Sequence, residues 1–234
     1  MLKKIYNKIS IYKRKIKSEK KSYSFGGVDL IVNYFFKNKK KGFYLDVGSQ
    51  HPIENNNTYL LYKKGWNGLN IDLDKKNIEL FNVARKKDLN VQAAIASKFD
   101  KRDFFFYHQG SPINTIVKDN ADIQKATVNE IRKINTVTLN SVLENHNINT
   151  IDYLNIDVEG GELEVMKGFN LQKYNPKLIS VEFLDLKMKS FEFKNNSIEN
   201  IFNSAIYKHM INNNYFFVNW SHGDLIFVNN ESRD

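Results

Sequence analysis

The chain has 234 residues, 41% of them apolar, a formal net charge of +9 and no cysteine. That length and apolar content suffice for one α/β domain with a substantial core, while the missing cysteine excludes disulfides, thiolate zinc ligands and a thiol nucleophile and suits a reducing, cytoplasmic setting. No run of about 18 apolar residues offers a transmembrane helix, and no compact apolar core follows the basic start as a secretory signal requires.

The charge is uneven. Residues 1–24 hold nine Lys and Arg residues between Lys3 and Lys21 against the single acid Glu19, a net +8, which leaves about +1 for the other 210 residues. Leu2, Ile5, Ile9, Tyr12 and Ile16 recur at spacings of three and four, so a helix here carries an apolar stripe bordered by lysines. The expected partner of this arm is an anionic membrane surface, which would make the protein peripheral to a membrane, with a solvated or domain-packed helix as the alternative. A body near neutrality gives nucleic acid little to bind, and none is expected as a partner. Residues 1–24 are therefore read as a basic amphipathic arm and residues 25–234 as the catalytic domain.

After Gly26-Gly27, the apolar spacing of Val28–Phe36 predicts a helix over the sheet's edge. Phe43–Val47 reads as a buried strand that breaks at Gly48, where a ligand needs close backbone. A helix over Asn55–Lys64, stopped by Gly65, leads to a second strand that ends at Asp72. An acid at the tip of the second strand of such a unit is placed to accept hydrogen bonds from both hydroxyls of a ribose. The loop lacks the further glycines that a pyrophosphate demands, since Gln50 and Ile53 stand where its partners would be, and no Gly-Lys-Ser/Thr phosphate loop occurs. S-adenosylmethionine (SAM), a nucleoside without phosphate, is the expected cofactor, with Asp46, Gly48, Ser49, Gln50, Asp72 and the adjacent Leu73 around it. Asp46 would lie near its amino group. An oxidoreductase of the NAD type is the competing class, and a non-catalytic, membrane-peripheral module that keeps the fold is a third.

Lys75–Lys87 is predicted as a helix with Ile78, Leu80, Phe81 and Ala84 inward, and Val91–Ile95 as a third strand whose small Ala93 and Ala94 leave room for a flat base. Phe104–Tyr107 is a short aromatic strand. Gly110–Asn135 keeps neither period for long and is read as a lid or acceptor-binding loop, with disorder as the alternative. A helix over Thr138–His146 precedes the strand Ile151–Asp157, which runs into Val158-Glu159-Gly160-Gly161 and a helix from Glu162. Lys177–Phe183 is a strand ending near Glu182, Ile198–Ile211 a helix, and Tyr215–Trp220 with Leu225–Val228 a hairpin about Ser221-His222-Gly223. The asparagine runs are read as loop placement only.

Asp46-Val47-Gly48-Ser49, Thr58-Tyr59, Gly65-Trp66-Asn67-Gly68, Ile71-Asp72, Thr138-Leu139 before Ile151-Asp152, and Ile156-Asp157-Val158-Glu159-Gly160 with Glu162 together resemble the FkbM-type SAM-dependent methyltransferases, from about Asp29 to Val228. The resemblance implies a Rossmann-like class I fold with a seven-stranded, mostly parallel sheet and a C-terminal antiparallel hairpin. It implies O-methylation, often of glycan sugars or of hydroxyls in secondary metabolites. By position, Asp46–Gln50 and Asp72 correspond to the SAM site, and Asp157 and Glu159 to strand-end acids facing donor and acceptor. The sequence departs from the common pattern at Gln50-His51-Pro52, at Asn155, where many members have Lys, and at Gly27-Val28-Asp29. Asp157, Glu159, Glu182 and His51 are the candidate acceptors of a hydroxyl proton. Asp157 and Glu182 also leave open a Mg²⁺ site that would lower the hydroxyl's pKa.

Overall fold

The structure is a computed structural model that describes residues 2–124, 126–183 and 197–232. Phe43–Val47 (β1), Asn67–Asp72 (β2) and Leu89–Gln92 (β3) lie parallel, and Tyr153–Ile156 (β7) and Leu178–Glu182 (β8) extend the sheet in parallel from the other side of β1. Asp224–Asn229 (β10) and Tyr215–Ser221 (β9) then run antiparallel, giving the order β3-β2-β1-β7-β8-β10-β9 among the described residues. The order reverses between β1 and β7. At such a switch point the carboxyl ends of the strands open a crevice, and both Gly48 and Asp157 stand on its rim.

Alternation along β1 directs Leu45 and Val47 to one face of the sheet and Tyr44 to the other, and both faces are covered, as the near-continuous apolar runs of β1, β2 and β7 require. On the first face Leu139–Asn145 (α6), Glu162–Lys167 (α7) and Ala205–Asn212 (α10) supply Leu139, Leu143, Val165 and Met210. On the other, Val28 and Val32 of Val28–Phe35 (α2) and Leu61 of Tyr59–Lys63 (α3) pack with Trp66, Tyr44, Tyr153 and Ile226. α2 thus covers the middle of the sheet rather than its edge, because its apolar stripe meets residues of β1, β7 and β10 together.

Several expected elements are shorter or divided. α3 begins only at Tyr59, since Asn56 and Thr58 are engaged in side-chain bonds that compete with helix formation. Lys75–Ala84 (α4) starts on Asp74, whose carboxylate accepts from Lys76 N at 2.9 Å, and ends before the expected Lys87. The strand expected over Val91–Ile95 is broken at Ala93: its N–H bonds Asp72 O at 3.0 Å, and Ala94–Ile95 (β4) leaves for a second sheet of order β4-β6-β5. That sheet is completed by Asp100–Phe106 (β5), longer than the aromatic core predicted it, and Glu130–Val137 (β6). Gly110–Asn135 is therefore not structureless, for it contains Lys118–Ile123 (α5) and most of β6. The helix expected over Ile198–Ile211 divides into Ile198–Asn203 (α9) and α10 at Ser204, whose hydroxyl caps the second piece by accepting from Tyr207 N at 3.1 Å.

Leu2–Ser18 (α1) is a helix, as the stripe predicts, and every described side chain from Lys3 to Ser18 is exposed except the half-buried Ser10. The chain then attaches to the body. Buried Asp29 accepts from Ser22 Oγ at 2.6 Å and from Tyr23 N at 2.7 Å, and Tyr23 O accepts from Asn56 N at 2.9 Å.

Candidate active site

Two adjoining cavities occupy the crevice. The first is lined by the ends of β1, β2 and β7 and by the turn at Ala93, and all nine residues marked for the donor, Asp46, Gly48, Ser49, Gln50, Asp72, Leu73, Ala93, Ala94 and Asp157, line it. The second is lined by Asp157, Glu159 and Glu182 together with Phe25, Gln124, His222 and Asp224. Asp157 and Glu159 belong to both walls, so the two cavities meet at these residues.

Gly48 makes this junction possible. Its φ is +80°, and a Cβ built there would stand 1.6 Å from Asp157 O, so only glycine lets the loop after β1 close on the end of β7. Gln50, also left-handed at φ 48°, donates its N–H to Asp72 Oδ2 at 2.8 Å, while Asp72 Oδ1 accepts from Asp74 N at 2.7 Å. Burial pushes the Asp72 carboxyl up to about 6, opposed by those backbone donors. Asp46 is fully buried, and protein donors hold it: Asn155 Nδ2 at 2.9 Å, Thr58 Oγ1 at 2.8 Å and Asn56 Nδ2 at 3.1 Å.

The buried hydroxyls of Ser49 and Ser111 both line the first cavity and have no hydrogen-bond partner among the described residues. Unpartnered buried hydroxyls mark where a polar ligand completes the bonding, and with the Asp72 acceptors and the flat strip at Ala93 and Ala94 they fit a nucleoside such as that of SAM. Ser111 comes from the Gly110–Asn135 segment, which Asp74 ties down by accepting from Gly110 N at 2.7 Å and from Asn114 Nδ2 at 3.2 Å. The same segment fixes Glu159, left-handed at φ 57°, whose carbonyl accepts from Thr115 Oγ1 at 2.9 Å and from the Asn120 amide.

One oxygen each from Asp157, Glu159 and Glu182 lie within 4.8 Å of one another. Burial is the main cause that raises every carboxyl here: Asp157 rises to about 6 and Glu159 to about 8, the latter helped by the charges of Asp157 and Glu162. Glu182 rises well above its ordinary range, through burial first and then through the charges of Asp157, Glu159 and Glu162. Glu162 takes no part in the cleft, since its Oε1 accepts from Val158 N and Gly160 N, both at 3.0 Å, and closes the turn before α7. His51 is not brought to this group. Its Nδ1 accepts from Glu54 N at 2.9 Å and Ile53 N at 3.3 Å, so it stabilises its own turn and lines neither cavity.

Reading the sequence missed Asp224, which stands beside Glu182 in the β10–β8 register. Burial and the charge of Asp157 push its carboxyl up to about 8. It also missed the asparagines that wire the two cavities together: Asn57 Nδ2 donates to Asn155 Oδ1 at 3.0 Å and to Asp224 Oδ1 at 3.3 Å, and Asn155 donates to Asp46. Asn155 is thus a neutral link, its Oδ1 also accepting from Ser180 Oγ at 2.5 Å.

A carboxyl whose pKa is raised by folding favours the folded state only while protonated, so its contribution is full below the ordinary carboxylate pKa and disappears as pH climbs through about 8. Asp224→Asn, which keeps the bond from Asn57 and removes the charge, is expected to stabilise the unliganded protein more at pH 8.5 than at pH 5.5. Thermal melts at the two pH values check this, and an equal shift at both would show that Asp224 does not ionise in that window.

A family model described as the methyltransferase FkbM domain matches residues 46–209, a span that begins at the buried acid of β1 and takes in Asp72, Asp157, Glu159 and Glu182. Searches of curated proteins and of solved structures return no match. The matched span covers most of the 234 residues, and the seven-stranded sheet around the crevice is that of class I methyltransferases. The chain is therefore a methyltransferase of the FkbM family.

Proposed function

We propose that the protein is a SAM-dependent O-methyltransferase whose acceptor is a sugar hydroxyl of a glycan or of its precursor. The observation that carries this reading is the meeting of two cavities at Asp157 and Glu159, one with nucleoside-type partners and the other walled by carboxyls of raised pKa. SAM, when bound, supplies a methyl group already activated by the sulfonium. The residues of the chain then have two tasks. Asp72, Ser49 and Ser111 orient the nucleoside, and the second cavity holds a hydroxyl in line, which is the larger contribution because effective molarities from such positioning are large. The proton of that hydroxyl passes to a carboxylate of the Asp157–Glu159 pair, whose raised affinity for protons suits a base working near neutral pH. Phe25 and His222, edge to face at 4.6 Å, give the acceptor side an aromatic rim suited to a sugar ring.

A second reading is a Mg²⁺ held by Asp157, Glu159 and Glu182, supported by the closeness of their oxygens. The deciding assay is transfer of tritiated methyl from SAM to sugar nucleotides, lipid-linked glycans, peptides and RNA, each with and without EDTA. Label in a saccharide with no effect of EDTA is expected. Label in RNA or peptide alone overturns the sugar assignment, and an EDTA-sensitive rate selects the metal. Calorimetry with SAM and NAD tests the cofactor, and binding of NAD without SAM overturns it.

A further inference from the structure

α1 is the one long amphipathic element among the described residues whose apolar stripe meets nothing in the protein. At about 100° per residue, Ile5, Ile9, Tyr12 and Ile16 fall within one narrow sector, with Lys8 and Lys15 to one side of it and Lys13 and Lys17 to the other. Ile5 and Ile9 are each 49% exposed, Tyr12 64% and Ile16 53%. An isolated helix of 17 residues is marginal in water, and stable helices normally gain their stability from a packed apolar face. This face therefore calls for an occupant, and the surrounding charge says which kind.

Residues 1–24 carry +8 while the rest of the chain carries about +1, so the occupant is anionic as well as apolar. A nucleic acid supplies the charge but no apolar layer, and a second copy of this chain supplies the apolar stripe but repels through its own lysines. An anionic lipid surface supplies both. We propose that α1 lies in the plane of an anionic bilayer, with Ile5, Ile9, Tyr12 and Ile16 below the headgroups and the flanking lysines among the phosphates.

The tether is short. Helix α1 ends at Ser18, Ser22 and Tyr23 are already fastened to Asp29, and Phe25 lines the second cavity. Six residues lie between Ser18 and Phe25, at most ~25 Å of extended chain from one to the other. A bedded helix thus keeps the acceptor cavity within that reach of the lipid surface. This consequence rests on the acceptor reading above, whereas membrane attachment does not, and the test measures attachment alone.

The whole chain is sedimented with sucrose-loaded vesicles of phosphatidylglycerol and phosphatidylcholine, and with phosphatidylcholine alone. Two variants separate the contributions: Ile5→Ser/Ile9→Ser/Ile16→Ser keeps the charge, and Lys8→Gln/Lys13→Gln/Lys15→Gln/Lys17→Gln keeps the stripe. The parent is expected to pellet with the anionic vesicles only, and each variant to bind at least about tenfold more weakly. Thermal melts of both variants report whether the body remains folded, since α1 lies outside its core. Quenching of Tyr12→Trp fluorescence by brominated lipid, read against the parent's own tryptophans, gives an independent measure of depth. Unchanged pelleting of the serine variant, or absence of Tyr12→Trp quenching, overturns the embedded helix in favour of charge-only association with the headgroups. Failure of the parent to pellet overturns the proposal outright.

Discussion

Arg85→Met is expected to lower stability by ~3–5 kcal/mol, the usual consequence of removing one partner from a buried charge network. Arg85 follows α4 and is fully buried. Its Nε and Nη2 donate to Pro52 O at 2.9 and 2.7 Å, Nη2 also to Asn56 Oδ1 at 2.5 Å, and Nη1 to Thr58 Oγ1 at 2.7 Å. Asp88 lies 3.9 Å from Nη1 and is itself bonded by Gly68 N, Asn70 and Tyr44. One guanidinium therefore ties the loop after β1 to the strands beneath it and orders Asn56 and Thr58, two of the groups that hold Asp46. Methionine fills part of the volume but leaves Pro52 O and the Asp88 carboxylate without their cation. For a chain of this length the loss corresponds to roughly 10 °C in melting temperature, which scanning calorimetry measures directly. A shift under about 2 °C would show that the loop holds without the arginine.

The second large effect concerns Asp72. Asp72→Ala is expected to weaken binding of S-adenosylhomocysteine by about two orders of magnitude, because hydrogen bonds to a charged acceptor contribute roughly 1.5–3 kcal/mol each and the ribose has two hydroxyls to donate. The carboxyl titrates at about 6, raised by burial. The charged form is the better acceptor, so affinity for the parent is expected to fall as pH drops from 7 to 5, and the alanine variant should lack that dependence. Calorimetry across this range checks both. Binding by Asp72→Ala equal to the parent's, or a flat pH profile in the parent, would remove Asp72 from the donor site.

The donor half was readable because each of its cues is local: an apolar run, a glycine where the backbone must approach Asp157, and an acid at the next strand end. What the sequence concealed depends on distance or on competition. Arg85 stands at the end of an amphipathic helix, where arginines are ordinarily solvated, and only the fold turns it inward onto Pro52. Nothing near Ala93 interrupts the strand period, yet the N–H there is claimed by Asp72 O and the chain changes sheets. Gly110–Asn135 looked structureless because polar bonds from Asn114, Thr115 and Asn120, rather than apolar packing, hold it in place. The Asn57–Asp224 contact joins residues 167 apart in sequence, a relation no spacing rule reaches. Ser204 looks harmless inside a helical period, but its side chain offers the backbone a cap and a new start.

The reversed direction of β10 has a consequence for how the molecule comes together. In the parallel strands the crevice is reached at the carboxyl end, but β10 enters it with its first residue, Asp224, set beside Glu182. The acceptor wall thus awaits a contact that closes a loop of more than 40 residues and requires the hairpin of β9 and β10, which leaves the ribosome after β1 to β8. Residues 46–95, by contrast, supply most of the donor wall from one contiguous stretch of short-range contacts. Because long loops close late, the nascent chain should acquire its donor-binding half before its acceptor-binding half, and competence for turnover arrives only with docking of the hairpin.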